Sequence, residues 1–512
     1  MLIAEGTVQN ESLRSTELCV PASTINTLLV PFIVSSSDDG GSPYFSEIAL
    51  ANPSAHDASV EFTYTAAFGA GSGKGTERLE AGRQRIVADG ISYLRQHGVP
   101  VPETGIRGGT LRINFSGLSS SDEAAAVVRT TTPIPAGRVG LAYPGVPFDS
   151  LLAGPAYLTS LRQDVSDRSN VALQNAGEAQ DGNITLRLTV YSGNPAAPTS
   201  QLLPDIVIPP GGFHQINGIL RSNGLFLTNG YVRIERVSGT APYYAYGVIN
   251  DQFNSDGSFV PPLPESSLAG RTRLTLPVVV ESNGFTTEVV ATNWSATKRT
   301  LRCNYVANAI GTTGSAASFA IELNPQEQLI LPDFVQWLRS TGIPGIGPRG
   351  PSFVGAMFAE VTSGDLSGIS LAARTTAPGT AGRHGVFYPA VPNGLASTKS
   401  AWIFGLQQTA ETRSNLALVN TGESDNSADV FRIELFDGET GRIAKSLETT
   451  VNAKAWTQIG TVLAQHAPGT TQGDARVTRV SGNNPFIAYA VLNDGGQPGE
   501  RTGDGAFLAS AP

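Results

Sequence analysis

The sequence predicts an all-β protein. It reads as a tandem array of four antiparallel β-sandwich units, Ig-like or jelly-roll-like, each with one short helical turn and arranged as two copies of a two-unit pair. Three observations predict it. The string RSNVALQNAGE at 168–178 returns as RSNLALVNTGE at 413–423, 245 residues on. Arg129-Thr130-Thr131 and Tyr143-Pro144 recur at the same offset as Arg374-Thr375-Thr376 and Tyr388-Pro389, and Arg236-Val237-Ser238-Gly239 returns as Arg479-Val480-Ser481-Gly482. Self-similarity over so long a period decides architecture before any motif is considered. The second observation is composition: 57 glycines and 33 prolines in 512 residues with only 15 % charged residues, which suits short strands and tight turns. The third is strict apolar–polar alternation in the strand candidates, the mark of sheets with one wet face.

Each copy divides again, because the polar turn, alternating strand and apolar segment that follow Asn52 are repeated after Asn175. The expected organisation is a lead-in over 1–26, units over 27–147, 148–264, 270–392 and 393–512, and a proline-rich linker over 262–271. Leu111, Ile113 and Phe115 alternate with Arg112 and Asn114; Ile184, Leu186, Leu188 and Val190 alternate with Thr185, Arg187, Thr189 and Tyr191; Phe431, Ile433 and Leu435 alternate with Arg432, Glu434 and Phe436. The alternation slips at Val237 and again at Val480, which predicts a β-bulge at equivalent places. Asp89 and Asp333 each precede apolar residues spaced three or four apart (Ile91 and Leu94; Phe334, Trp337 and Leu338) and then a Gly-x-Pro stop, predicting two capped helical turns that plug open ends of their units.

The strings quoted above, with GGTLRINFSGLSS, VVRTTTP and YVRIERVSGTAPYYAYGVINDQFNSDGSFVPP, resemble repeat units of large secreted or surface proteins of bacteria, notably acidobacterial types. The resemblance covers most of 27–512 and implies export and modular stacking rather than an activity.

Charge and motifs narrow the function. The net charge is −9 and no dense basic run exists, which disfavours nucleic acid and anionic membrane surfaces. No stretch has the length of a transmembrane helix, and Met1 to Cys19 shows no legible signal peptide. The two cysteines, Cys19 and Cys303, fall at unrelated repeat positions and predict neither a disulfide framework nor a cysteine zinc site. Gly69 to Thr76 lacks the P-loop spacing and reads as a hairpin loop, and Asp38-Asp39 as a solvated turn. The histidines, His56, His97, His214, His384 and His466, form no HExxH pair, none has a histidine partner in the other copy, and they read as surface or partly buried side chains. No GxSxG elbow is present.

Two openings for binding remain. Asp251 and Asp256, with Asp494 and Asp504 in the second copy, sit on loops that Asx turns explain and that calcium could also occupy. Tyr244 and Tyr246 share one face of a strand with Tyr243 opposite, a platform for packing between units or for stacking on a sugar. Arg129, Arg138, Arg374 and Arg383 recur at one offset and are expected to bridge strand ends or adjacent units. The functional expectation is a non-enzymatic, extracellular or cell-surface structural or adhesion protein. Its partners would be neighbouring units of its own chain, further copies in a filament or layer, or a surface glycan. The alternative is a carbohydrate-binding accessory region of a secreted hydrolase.

Overall fold

The computed structural model describes residues 24–36, 43–118, 124–309, 315–350 and 352–511. Cys19, Asp38-Asp39 and most of the 1–26 lead-in lie outside the described residues. The protein is all-β, with six antiparallel sheets that fall into four consecutive stretches of chain, called quarters below. No described helix is long and apolar enough to cross a membrane.

The first quarter is one nine-stranded sheet between Thr24 and Pro147, and the third, between Arg273 and Pro392, repeats its strand order. Thr24–Ser36 pairs with Arg107–Leu118 along most of its length, yet meets Tyr44–Ala51 only at Ser35 and Ser36. The sheet therefore parts into two wings joined at one hairpin end, and both supply the same core: Val30, Phe62 and Leu111 from one, Ile48, Leu50 and Val128 from the other. Helix Gly90–Gln96 lies against Thr24–Ser36 and Tyr44–Ala51, where the wings separate, and buries Ile91 and Leu94. Asp89 caps it by accepting from the Ser92 N–H, and Asp333 does the same for helix Phe334–Ser340 through Gln336. Gly69 to Thr76 turns the hairpin between Ala58–Phe68 and Gly73–Leu79. Of its second-copy counterpart, 310–314 lie outside the described residues.

The second and fourth quarters each contain two sheets with an apolar layer between them. In the second, Leu158, Leu186 and Val232 of the six-stranded sheet face Leu173, Tyr243 and Ala245 of the four-stranded one. Ile403, Phe431 and Val477 face Leu418, Phe486 and Ala488 in the fourth. Burial alternates without a break along Ile184–Ser192, as hydrophobic periodicity requires. The two bulges stand where alternation slips: Thr185 and Leu186 pair with Ser238 and Arg236, skipping Val237, and Val430 and Phe431 pair with Ser481 and Arg479, skipping Val480.

A fully buried asparagine closes the same turn in every quarter. Asn52, Asn175, Asn293 and Asn420 each accept from the main-chain N–H two residues on, that of Ser54, Gly177, Ser295 and Gly422 respectively. Their amide groups donate to carbonyls of facing loops, such as Leu79, Ile208, Leu323 and Val451. An amide supplies donor and acceptor at once, which a buried turn between strand ends needs.

The cores do not stop at the quarter borders. Tyr244 and Tyr246 of the second quarter pack into the first quarter's core, and Trp456, Ile487 and Tyr489 of the fourth pack into that of the third. The chain is also not an open row. Tyr157 of the second quarter stacks on Trp294 of the third at 4.3 Å between ring centroids, and Gln84 of the first bonds Gly405 and Gly473 of the fourth. The four quarters close on themselves around an approximate two-fold axis relating the two copies. The tandem repeat by itself does not foretell this closure, because it joins residues hundreds of positions apart.

Candidate functional site at the four-way junction

Four short strands, one per quarter, meet at that axis: Gly137–Pro144, Gly257–Val260, Arg383–Pro389 and Gly505–Ala509. Their close approach depends on glycine. A Cβ on Gly257 would lie 2.7 Å from the Leu141 side chain, and one on Gly505 would lie 2.6 Å from that of Val386, its symmetry counterpart. An apolar cavity of about 220 Å3, lined by Leu141, Phe259, Val386 and Phe507 among others, runs between them.

Acidic loops from one copy clasp strands of the other. Asp251 Oδ2 accepts the Arg383 N–H at 2.9 Å and Asp256 Oδ2 accepts the Gly385 N–H at 2.7 Å. Asp494 Oδ2 accepts the Arg138 N–H at 3.1 Å and Asp504 Oδ2 accepts the Gly140 N–H at 2.9 Å. The remaining oxygen of Asp251 caps the Phe253 and Asn254 N–H groups, and that of Asp494 accepts from Arg501. Both carboxylates are thus engaged on both oxygens, so neither Asp251 nor Asp494 has an oxygen free for calcium. Backbone and hydroxyl donors and Arg501 hold the Asp494 carboxyl below its usual range, against the opposing effect of burial.

Asp256 and Asp504 differ from that pair. They come together from opposite copies, and their inward oxygens find no donor in the surrounding chain, so that one carboxyl keeps its proton and donates to the other. Burial raises both carboxyl pKa values; for Asp504 the neighbouring Asp256 adds to the rise. His384 approaches the same point with an unpartnered Nδ1, and burial lowers its pKa, favouring the neutral ring. The first copy has Val139 in its place.

The arginines bridge quarters unequally. Arg374 donates to Asp167 Oδ1 at 2.9 Å and Ser258 Oγ at 2.9 Å, and Arg383 donates to Asp167 Oδ2 at 2.7 Å. Burial opposes it, yet Arg374 and Arg162 hold the Asp167 carboxyl below its ordinary range. Arg162 also pairs with Glu288 across the border. At the equivalent border of the other copy, Thr412 replaces Asp167 and Gln407 replaces Arg162. Arg129 is accordingly buried with none of its three guanidinium nitrogens hydrogen-bonded, and burial lowers its pKa despite Glu47 and Asp504 nearby.

The tyrosines are enclosed. Tyr243 lies in its own quarter's core and donates to the Gly154 carbonyl, while Tyr244 and Tyr246 sit beneath the border with the first quarter. Tyr143, Tyr246 and Phe259 form a ring cluster that Tyr388, Tyr489 and Phe507 repeat. A platform for sugar stacking needs an open ring face, and these rings have none because packing between quarters covers them. Cys303 is buried as a free thiol.

Sequence reasoning singled out the two acidic loops and the four arginines but missed Asp167, Gln84, Gln328 and the place of His384. The signal was present in part: Gln84 and Gln328 keep the repeat spacing, and Asp167 opposite Thr412 is a charge that breaks it. No family model matches the chain, and no curated protein matches it.

Proposed function

We propose that this chain is a non-enzymatic structural or adhesion module of the cell surface or extracellular space, in which four β-sandwich units close into one body and act through its outer faces. The observation that carries the reading is the use made of the junction's polar groups. Asp167, Asp251, Asp494 and the arginines around them join quarter to quarter, and Asp256 and Asp504 are buried beneath strands of the opposite copy. Catalysis needs groups that a reacting molecule can touch. A closed body also has no free first or last unit for simple head-to-tail stacking, so further copies or a surface partner would meet its outer sheets. Sedimentation and electron microscopy at rising concentration test this: a discrete particle with the mass of one chain, or a regular assembly of such particles, supports the reading. Hydrolysis of any member of a broad ester, peptide and glycoside panel that purifies with the protein overturns it.

A second reading, carbohydrate binding, draws on two equivalent grooves that flank the junction. The larger, about 740 Å3, is lined by Phe32, Phe68, Arg168, Gln215 and Asn217. Its counterpart in the other copy, about 245 residues further along the chain, is smaller at about 300 Å3 and carries Phe285, Trp456 and Gln458. Phe32 stacks with Phe213 at 4.7 Å beside the half-exposed Phe68, so aromatic faces and amide groups meet there. Glycan-array binding lost in Phe68→Ala, with the fold intact, would favour this reading over a purely structural one.

A further inference from the structure

Asp256, His384 and Asp504 reach one point from the second, third and fourth quarters. Each brings a ligand atom, and these atoms lie within 4.8 Å of one another. All three side chains are more than nine-tenths buried, at 0 %, 6 % and 1 % exposure; His384 Nδ1 has no hydrogen-bond partner, and the inward oxygens of Asp256 and Asp504 have only each other, through one shared proton. An unpartnered imidazole nitrogen beside two buried carboxyls that only a shared proton reconciles leaves a polar demand that the surrounding chain does not meet, and a cation could replace that proton.

The groups around the point are arranged as supports. The second oxygen of each carboxylate is fixed by a main-chain N–H, from Gly385 for Asp256 and from Gly140 for Asp504, so the first oxygens are oriented before anything binds. On its far side, His384 Nε2 is walled by the Gly379 backbone, where a Cβ would come within 2.6 Å. Arg374, the cation whose charge acts on Asp256, is already matched by Asp167. Arg129, which faces Asp504, stands opposite Glu47 in the strand pairing.

We propose that Asp256, His384 and Asp504 bind one divalent transition-metal cation of the zinc class, which pins three quarters together at the junction. The donor set is two carboxylate oxygens and one imidazole nitrogen, with water completing the shell. That set suits zinc and its neighbours, whereas calcium and magnesium prefer oxygen alone. A bound ion about 2.1 Å from each ligand draws the three atoms together by roughly an ångström, within the reach of small side-chain rotations. The site differs from a calcium loop in kind: it is assembled from both copies of the repeat, and His384, absent from the first copy, breaks the symmetry to create it.

The test uses the full chain, stripped with chelator and desalted, then titrated with zinc chloride or calcium chloride while bound metal and the thermal midpoint are measured. His384→Val, which installs the residue the first copy has, is the diagnostic variant. The expected result is about one tightly held zinc per chain and a raised midpoint in the native protein. His384→Val should show neither while melting, metal-free, close to the metal-free native protein, and calcium should give no comparable shift. Equal zinc retention by native protein and His384→Val would assign the metal to surface histidines and overturn the proposal, as would retention of none. Cobalt substitution of the native protein provides a reading independent of any variant. Visible ligand-field bands at one equivalent support the site, and a spectrum of hexaaqua cobalt alone sinks it.

Discussion

Gln84 and Gln328 hold equivalent positions in the two copies, and each plugs the bulged strand of a different neighbour. Gln328 Oε1 accepts the Ser160 N–H at 2.7 Å, and its Nε2 donates to the Leu161 and Gly230 carbonyls at 3.2 and 3.0 Å. Gln84 Oε1 accepts the Gly405 N–H at 2.7 Å, and its Nε2 donates to the Gly473 carbonyl at 3.2 Å. The bulges lie between Leu158 and Leu161 and between Ile403 and Leu406, where strand pairing leaves main-chain groups unmatched. One side-chain amide satisfies them across each border.

Replacing Gln328 by alanine leaves several buried main-chain groups without partners and is expected to destabilise the chain by about 3 kcal/mol. Gln84→Ala, which loses fewer bonds, should cost less, about 2 kcal/mol. Urea unfolding of both variants checks the order as well as the size; equal, negligible effects would mean that water fills the plug.

Ser160 is the bulge residue of the second quarter and has φ +67°, a conformation its counterpart Gly405 adopts at +82° without a Cβ. The Ser160 hydroxyl is also buried and unpartnered. Ser160→Gly removes both liabilities, and we expect a gain of about 1 kcal/mol in unfolding free energy. A loss of stability would show that the hydroxyl has a partner in solution.

Arg374 and Arg129 should respond oppositely to Met. Arg374→Met leaves buried Asp167 with Arg383 as its one remaining guanidinium hydrogen-bond partner and Arg162 nearby, and is expected to cost about 3 kcal/mol. Arg129 makes no hydrogen bond, so Arg129→Met should be neutral or stabilising within about 2 kcal/mol. Thermal melts of the two single variants decide it, and similar losses would refute the asymmetry.

Asp474 is buried at the border of the fourth and first quarters, and burial pushes its carboxyl from 3.8 up to about 8. The folded state therefore retains a proton that the unfolded chain releases above pH 4, so stability declines as pH rises from about 4 to 8 and then levels. Asp474→Asn should be more stable than the native chain at pH 7, by on the order of 4 kcal/mol, with the gap closing below pH 4. A pH-independent difference between the two melting curves would contradict the raised carboxyl.

Much of the fold is legible because its signals are local. Alternation in Ile184–Ser192, the slip at Val237 and Val480, and the caps at Asp89 and Asp333 each depend on residues within a few positions, so the chemistry that causes the structure is adjacent in the chain. The acidic loops were legible as polar turns, but not what they clasp. Asp504 and Gly140 are neighbours only because four sheets close on themselves, and the same is true of Asp256, His384 and Asp504. Tyr244 and Tyr246 show the limit most simply: an alternating pattern tells that they share a face, and nothing in it tells whether that face meets solvent or another quarter.

The sequence by itself determined that the chain is all-β, that it repeats, and where strands bulge and helical turns begin, since these follow from side-chain periodicity and backbone preference. Tertiary structure alone decided that the repeat closes into one body and that two carboxyls and an imidazole from three quarters meet at its junction. Burial and charge pairing act between residues brought close by packing, whatever their distance along the chain.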